Sequence, residues 1–366
     1  MNAASGRDDE ADVVAGFAST LVAWQREHGR QSLPWQQLGA TRDAYRVWLA
    51  EVMLQQTQVA AVVPYYRRFL ERFPDVRTLA AASSDDLMQQ WSGLGYYSRA
   101  RNLHAAAKRV VDAYGGRFPD TVDALQMLPG VGRSTAGAIA AFAYGRRAPI
   151  LDGNVRRVLT RVFAVTGIAT DVVANRRLWA LSEALLPEHD IERYTQGLMD
   201  LGATICTPRR PTCLVCPFER VCLAHRQGRE EAFPERAPRK AAPVRDATLV
   251  VVTRGAAVLL ERRPPVGLWG GLWSLPQVAV DDDGASVWAP YGAPVATQRG
   301  DGFVHAFTHF VLHAAVLRVR LATDADPAPA TGETDAVRWV AFDALSSLGL
   351  PTPVRALLER IAREGG

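Results

Sequence analysis

The sequence predicts a multidomain fold, an all-α half that carries a four-cysteine loop followed by an α+β half, and three observations point to it. As far as about Arg226, apolar residues recur three and four apart, with Gly or Pro at the breaks. The texture then changes to the run GREEAFPERAPRKAAPVR, Gly228 to Arg245, a composition suited to an extended linker. Beyond it stand β-type runs and one last helix, the pattern of an α+β domain. The boundaries that follow are residues 1–227 for the helical domain, 228–246 for the linker and 247–366 for the second domain.

In order along the chain, the periodicity predicts helix at Ala11–His28, Ala44–Phe73, Ser84–Trp91, Ser98–Tyr114, Thr135–Tyr144 and Arg176–Leu186. Strands are predicted at Thr248–Thr253, Ala257–Leu260, His313–Leu321 and Val337–Phe342, with a final helix from about Pro353. No apolar run is long enough to span a membrane, and the polar, acidic start MNAASGRDDEADVV lacks a signal peptide's hydrophobic segment. A cytoplasmic protein with reduced thiols is the simplest expectation. The net charge of +4 is too small to argue nucleic-acid binding by itself. Basic pairs such as Arg146–Arg147, Arg156–Arg157 and Arg209–Arg210 read, taken singly, as solvated helix faces. Lysine occurs only at Lys108 and Lys240, so few positions offer an amine nucleophile.

Cysteine occurs at four positions, Cys206, Cys213, Cys216 and Cys222, spaced C-x6-C-x2-C-x5-C. Zinc modules usually pair one C-x2-C with a second close pair, and here the outer two cysteines reach in from either side of a single pair. That looser loop suits a cubane iron–sulfur cluster, with a zinc knob or two disulfides as the alternatives.

Upstream lies Leu128-Pro-Gly-Val-Gly-Arg-Ser-Thr-Ala136, within a helix–hairpin–helix expected over about 120–144. Pro129 ends one helix, Gly130 and Gly132 permit a tight turn, and Ser134 helps open the next helix. Glycines there let backbone N–H groups approach a phosphate, and the helix N-terminus adds partial positive charge. The alternative is an ordinary connection within a helical bundle.

Two carboxylates stand out. Glu51 interrupts the apolar helix Val47-Trp-Leu-Ala-Glu-Val-Met-Leu54. Burial there would raise its pKa and favour a neutral acid, unless it lies on a wet helix face. Asp152 lies in Ala148-Pro-Ile-Leu-Asp-Gly-Asn-Val155, which reads blandly as a turn and helix cap. One acid and one anion are the parts needed to break an N-glycosidic bond.

On these residues the chain resembles the adenine DNA glycosylases of the MutY type, within the endonuclease III-like helix–hairpin–helix superfamily. The signatures are Leu33-Pro-Trp35, Glu51-Val-Met-Leu-Gln-Gln-Thr-Gln58, Gly93-Leu-Gly-Tyr-Tyr97, Leu128–Ala136, Ile150–Val155, Met199-Asp-Leu-Gly-Ala203 and the cysteine loop. The second half is similar to that family's MutT-related (Nudix-like) recognition domain, through Gly267-Leu-Trp-Gly-Gly-Leu-Trp273 and His305-Ala-Phe-Thr-His-Phe310.

The resemblance implies a monomeric enzyme of base excision repair, located with the chromosome and acting on double-stranded DNA. It would remove adenine mispaired with 8-oxoguanine, and also with guanine, after flipping the base into a pocket. It implies one 4Fe-4S cluster on the four cysteines. Glu51 would protonate N7 of the adenine, Asp152 would stabilise the cationic sugar, and Asn154 would orient the site. Trp35, Leu54 and Gln196 match positions near the adenine pocket, and Gln56 and Tyr96 match residues that wedge into the base stack. Phe307, Thr308 and His309 match the turn that contacts 8-oxoguanine, with threonine in place of the family's serine. Ser134 stands where bifunctional relatives carry a Schiff-base lysine, so excision without efficient strand cleavage is expected. The second domain lacks the glutamate cluster that a MutT-like hydrolase uses to hold metal, and Asp281–Asp283 reads as a solvated loop, so recognition rather than hydrolysis is expected. The alternatives are a bifunctional endonuclease III-like glycosylase/lyase and a noncatalytic, cluster-bearing DNA-binding protein.

Overall fold

The computed structural model describes residues 5–36, 43–238, 241–322 and 336–364, with side chains from residue 13 onward. Lys240 lies outside the described residues. The chain forms two units, Met1–Ala80 with Ala105–Pro238, and Ala81–His104 with Arg239–Gly366.

The helices run α1 (Ser5–His28), α2 (Ala44–Leu54), α3 (Val59–Arg72), α4 (Val76–Ala81), α5 (Ser84–Trp91), α6 (Ser98–Tyr114), α7 (Val122–Gln126), α8 (Arg133–Tyr144), α9 (Gly153–Val162), α10 (Val172–Ala184), α11 (Ile191–Thr204), α12 (Leu223–Arg226), α13 (Ala285–Trp288) and α14 (Thr352–Arg363). The helix expected across Ala44–Phe73 is therefore two helices. The chain breaks after Leu54, where Gln56 takes a left-handed conformation (φ 57°). The Gln55 amide is drawn sideways to Thr135 Oγ1 at 3.2 Å, so the turn is fixed by the hairpin rather than by propensity. Helix α9 follows Asp152 as the cap reading expects, whereas α11 went unread because Gly-Leu-Met-Asp-Leu-Gly looks like a turn until packing partners are supplied.

The helical unit buries Phe17, Trp48, Phe69, Phe73 and Tyr194. The second unit is built on strands β1 (Val244–Arg254), β2 (Ala257–Arg262), β3 (Trp273–Ser274), β4 (Gln277–Val278), β5 (Pro294–Ala306), β6 (Val311–Leu321) and β7 (Val337–Ala341). They form one mixed sheet in the order β3-β2-β1-β6-β5, with β4 on β1 and β7 on β2. Strands β1 and β6 pair in parallel, and the other pairs are antiparallel. Seven consecutive buried residues in β1 mark it as a strand covered on both faces. Strand β5 is almost wholly exposed and carries Thr, Gln, Arg, Gly and Asp, so no apolar alternation announced it.

Two expected boundaries shift. The linker assigned to 228–246 is partly structured. Phe233 is buried, its carbonyl accepts from Arg161 Nε at 3.0 Å, and Glu235 bridges to Ile168. Strand β1 already begins at Val244. The segment Ala81–His104, assigned by order along the chain to the helical domain, packs with the sheet unit. Ser92 Oγ donates to the Leu350 carbonyl at 2.8 Å, and Arg101 Nη1 to that of Gly270 at 2.6 Å. At Gly349 a Cβ would lie 2.8 Å from the backbone of Met88, so only glycine allows that approach.

Candidate active site and cysteine-lined cavity

Glu51 sits on α2, whose neighbouring residues Ala50, Val52 and Met53 are buried. Glu51 itself is half-buried, between those residues and solvent. Loss of hydration pushes the Glu51 carboxyl up to about 8, and the negative charge of Asp152 adds to the shift. Asp152 caps α9, its Oδ1 accepting from Val155 N at 2.7 Å. The reading of Asp152 as a helix cap is borne out. Burial pushes its carboxyl upward, opposed by the N–H groups of Val155 and Asn154 and by Arg157.

The surrounding contacts hold this loop in place. Ser134 Oγ accepts from Leu151 N at 2.9 Å, and Ser182 Oγ donates to the Ile150 carbonyl at 2.8 Å. A Cβ at Gly137 would come within 2.4 Å of the Pro149 carbonyl oxygen, so α8 and the loop touch through glycine. A Cβ at Gly202 would come within 2.6 Å of the Asn154 Cβ, which explains the glycine of the Met199–Ala203 motif. In the hairpin, Gly130 is left-handed (φ 77°), and Gly132 begins α8 with open space where a side chain would stand.

Arg157 and Arg161 went unrecognised, and the solvated-face reading of Arg157 is corrected. Arg157 Nη2 donates to Asn154 Oδ1 at 2.8 Å and to the Gly202 carbonyl at 2.6 Å, while its Nε donates to the Cys206 carbonyl at 2.7 Å. Arg161 is 2% exposed and reaches Cys206 Sγ at 3.3 Å and the Thr207 carbonyl at 2.7 Å. A basic pair on an amphipathic helix carries no sign of which cation points inward. Arg209 and Arg210 remain exposed on the cysteine loop, as phosphate contacts would require.

Cys206, Cys213, Cys216 and Cys222 line one cavity together with Arg161, His225 and Glu230. All four are free thiols, which sets aside the two-disulfide alternative. Burial pushes Cys213 up to about 11, with Glu230 adding to it, and burial pushes Cys216 up to about 12. Neighbouring thiolates raise both further, so the set charges together only around a cationic centre. Among the described residues, Cys213, His225 and Glu230 also form the one three-residue group close enough to hold a single metal ion.

The other predicted residues divide. Trp35 is buried edge-on against Tyr66, with ring centroids 5.4 Å apart. Leu54 ends α2, one turn from Glu51. Gln196 is buried and donates to Asp200 Oδ1 at 2.8 Å, beside Arg30 on the same carboxylate at 2.7 Å. In the second unit, Phe307, Thr308 and His309 lie at the tip of the β5–β6 hairpin. Phe307 stacks on Phe310 at 4.5 Å, while Thr308 and His309 are exposed. Tyr96 is left-handed (φ 48°), and its hydroxyl lies 3.4 Å from Thr308 Oγ1.

A raised-pKa glutamate and a helix-capping aspartate beside a glycine hairpin fit the helix–hairpin–helix class of base-excision DNA glycosylases. The family described as HhH-GPD superfamily base excision DNA repair protein matches residues 49–184, and a NUDIX domain matches residues 247–360. A thermostable thymine-DNA glycosylase structure aligns at 28% identity and TM-score 0.53, over 60% of this chain and 99% of that one. An endonuclease III–DNA complex shares the fold at 22% identity and TM-score 0.50, over 59% and 97%. The adenine DNA glycosylase of Buchnera aphidicola (strain APS) is 32% identical over 95% of this chain and 98% of its own length. Those of Mus musculus and Homo sapiens are 36% and 33% identical over 95% of this chain, covering 78% and 74% of theirs. The chain belongs to the adenine DNA glycosylase family. It is a DNA glycosylase of base excision repair with DNA as its substrate.

Proposed function

We propose that this enzyme is a monofunctional glycosylase that hydrolyses adenine from mispairs with 8-oxoguanine, and also with guanine. The observation that carries the reading is the Glu51 carboxyl, held up to about 8 beside Asp152. Of a coupled pair, one member keeps the proton, and Glu51 is the one that does so near neutral pH. Its proton passes to N7 of the flipped adenine as the bond from N9 to C1′ breaks. Asp152, anionic beside the N-terminus of α9, stabilises the cationic sugar. Arg157 occupies Oδ1 of Asn154, so the remaining polar group of that amide is its NH2 donor. Glu51, now ionised, takes a proton from the water that adds to C1′.

One 4Fe-4S cluster on Cys206, Cys213, Cys216 and Cys222 fits the shared cavity and the raised thiol pKa values. When bound it supplies a rigid brace for the loop bearing Arg209 and Arg210, and no step of the excision passes through it. The protein acts as a monomer, in the cytoplasm with the chromosome. Gln56 and Tyr96, both left-handed and exposed, suit the wedging role, and Phe307–Thr308–His309 suits the lesion reader. Ser134 offers no amine, and its hydroxyl is occupied by the Leu151 N–H.

The testing experiment is a strand-nicking assay on an A:8-oxoguanine duplex with and without alkali. Adenine release with little cleavage until alkali is added, and little borohydride trapping, is expected. Efficient nicking and trapping by pure enzyme would instead establish the glycosylase/lyase alternative.

A further inference from the structure

One carboxylate in the second unit gathers donors from three strands. Asp85, in the first turn of α5, accepts at Oδ1 from Arg262 Nη2 of β2 at 2.6 Å and from the indole N–H of Trp273 in β3 at 3.2 Å. Its Oδ2 accepts from Arg338 Nη2 of β7 at 3.0 Å. Arg338 also lies over the Trp273 ring, 3.8 Å from its centroid. Both oxygens are thus engaged and two guanidiniums share one acid, so removing its charge would leave two cations side by side.

The same segment ends in Tyr96. Trp91 Nε1 and Arg99 Nη2 donate to the Gly95 carbonyl at 3.1 and 3.2 Å. The Arg99 guanidinium lies between two rings, 5.4 Å from that of Trp91 and 5.3 Å from that of Tyr96. Tyr96 is held in a left-handed conformation that a non-glycine residue keeps only where its surroundings over-determine it. There its hydroxyl meets Thr308 Oγ1.

We infer that Asp85 is a positioning residue for lesion discrimination: by tying α5 to β2, β3 and β7 it holds Tyr96 in register with Thr308. The inference rests on the reading of Phe307–His309 as the lesion reader. Both oxygens of Asp85 are taken up by the sheet, so its effect passes through Tyr96.

The test compares Asp85→Asn, Arg338→Gln, Thr308→Ala and the Asp85→Asn/Thr308→Ala double variant in the full-length protein. Single-turnover excision is measured on A:8-oxoguanine and A:G duplexes, and amide hydrogen exchange is followed over residues 84–91. Asp85→Asn is expected to speed exchange and lower the ratio of the two rates by about fivefold, or about 1 kcal/mol, because the A:8-oxoguanine rate falls more than the A:G rate. Arg338→Gln breaks the hub from the sheet side and should do the same. The double variant should lose less than the two single losses combined. Asp85→Glu should restore part of the ratio. An equal fall on both duplexes would show a merely structural role and overturn the inference. An unchanged ratio in Asp85→Asn alongside a lowered one in Thr308→Ala would overturn it while leaving the lesion-reading turn intact. Unchanged ratios in both would overturn the reading of the turn, and the inference with it.

Discussion

Glu51 and Asp152 are held by packed helices and by hydrogen bonds that reach the Asp152 loop from α8 and α10, whereas Thr308 and His309 stand exposed at a hairpin tip. The first region places two groups and shifts their pKa values by excluding water. The second presents polar side chains at a tip held by the Phe307–Phe310 stack, the Phe307 N–H to Phe310 carbonyl bond at 2.8 Å and the Tyr96 contact. Chemistry on a glycosidic bond needs charges fixed in a dry setting, where electrostatic terms are large. Reading a base edge needs groups that can reach it, and exposed hydrogen bonds are worth little each. Damage to the first region should therefore abolish the reaction, and damage to the second should only tilt a preference.

The largest effects should come from the carboxylates. Glu51→Gln keeps the shape but loses the proton, and Asp152→Asn loses the anion. Either should slow single-turnover excision by at least about 100-fold with mispair binding retained. Near-normal excision by a folded variant would remove that residue from the mechanism. The pH dependence sharpens the point. The native protein keeps a proton on Glu51 up to about 8, while the unfolded chain releases it near the ordinary glutamate value of 4.5. Between those values the native state binds the extra proton, so stability falls as pH rises, by up to about 1.4 kcal/mol per unit. Glu51→Gln should thus raise Tm relative to the parent more at pH 8 than at pH 5, and the parent's excision rate should fall above about pH 8. Equal Tm differences at both pH values would contradict the raised pKa.

Next in size is the packing behind the pair. Gly202→Ala drives a methyl into Asn154, and overpacking of this kind costs about 1–3 kcal/mol. Both Tm and the excision rate should drop, and an unchanged rate would detach Asn154 from the chemistry. Cys213→Ser should give paler protein with weakened DNA affinity and a smaller change in the chemical step, read from iron content and from binding and single-turnover assays. Stoichiometric zinc in colourless, fully active native protein would reject the cluster.

Smaller effects belong to the exposed region. A fragment ending at Pro238 retains Glu51, Asp152, the hairpin and the cysteines, and also Phe233, which a cut at Gly228 would remove from Arg161. It should excise adenine with reduced preference for 8-oxoguanine over guanine, and with lower stability because α5 loses its sheet. Thr308→Ala should cost about 1 kcal/mol of that preference. If the fragment's preference equals that of the full chain, the contrast between the two regions collapses.

Much of this was legible beforehand because it depends on local chemistry. Glu51 was visible as a charge in an apolar helix, the cysteines by their number and spacing, and the hairpin by its glycines. Helices α5 and α6 matched their expected ends because their periodicity is strong. The inward turn of Arg157 and Arg161 was not legible, since a cation on an amphipathic helix reads as solvated until carbonyls and a thiol surround it. Strand β5 was hidden because an exposed edge strand needs no apolar alternation.

The sequence by itself determined the parts list: which residues can hold a proton, a metal centre or a phosphate, and where the helical texture gives way to strands. Only the tertiary structure decided the partnerships. It joined Ser134 to the loop of Asp152, linked Asn154 through Arg157 to the backbone of Cys206, and drew residues 81–104 onto the sheet, where Asp85 meets three strands. Such pairings bring together residues far apart along the chain. Their energy appears only when burial removes water from both partners, and no local pattern records that.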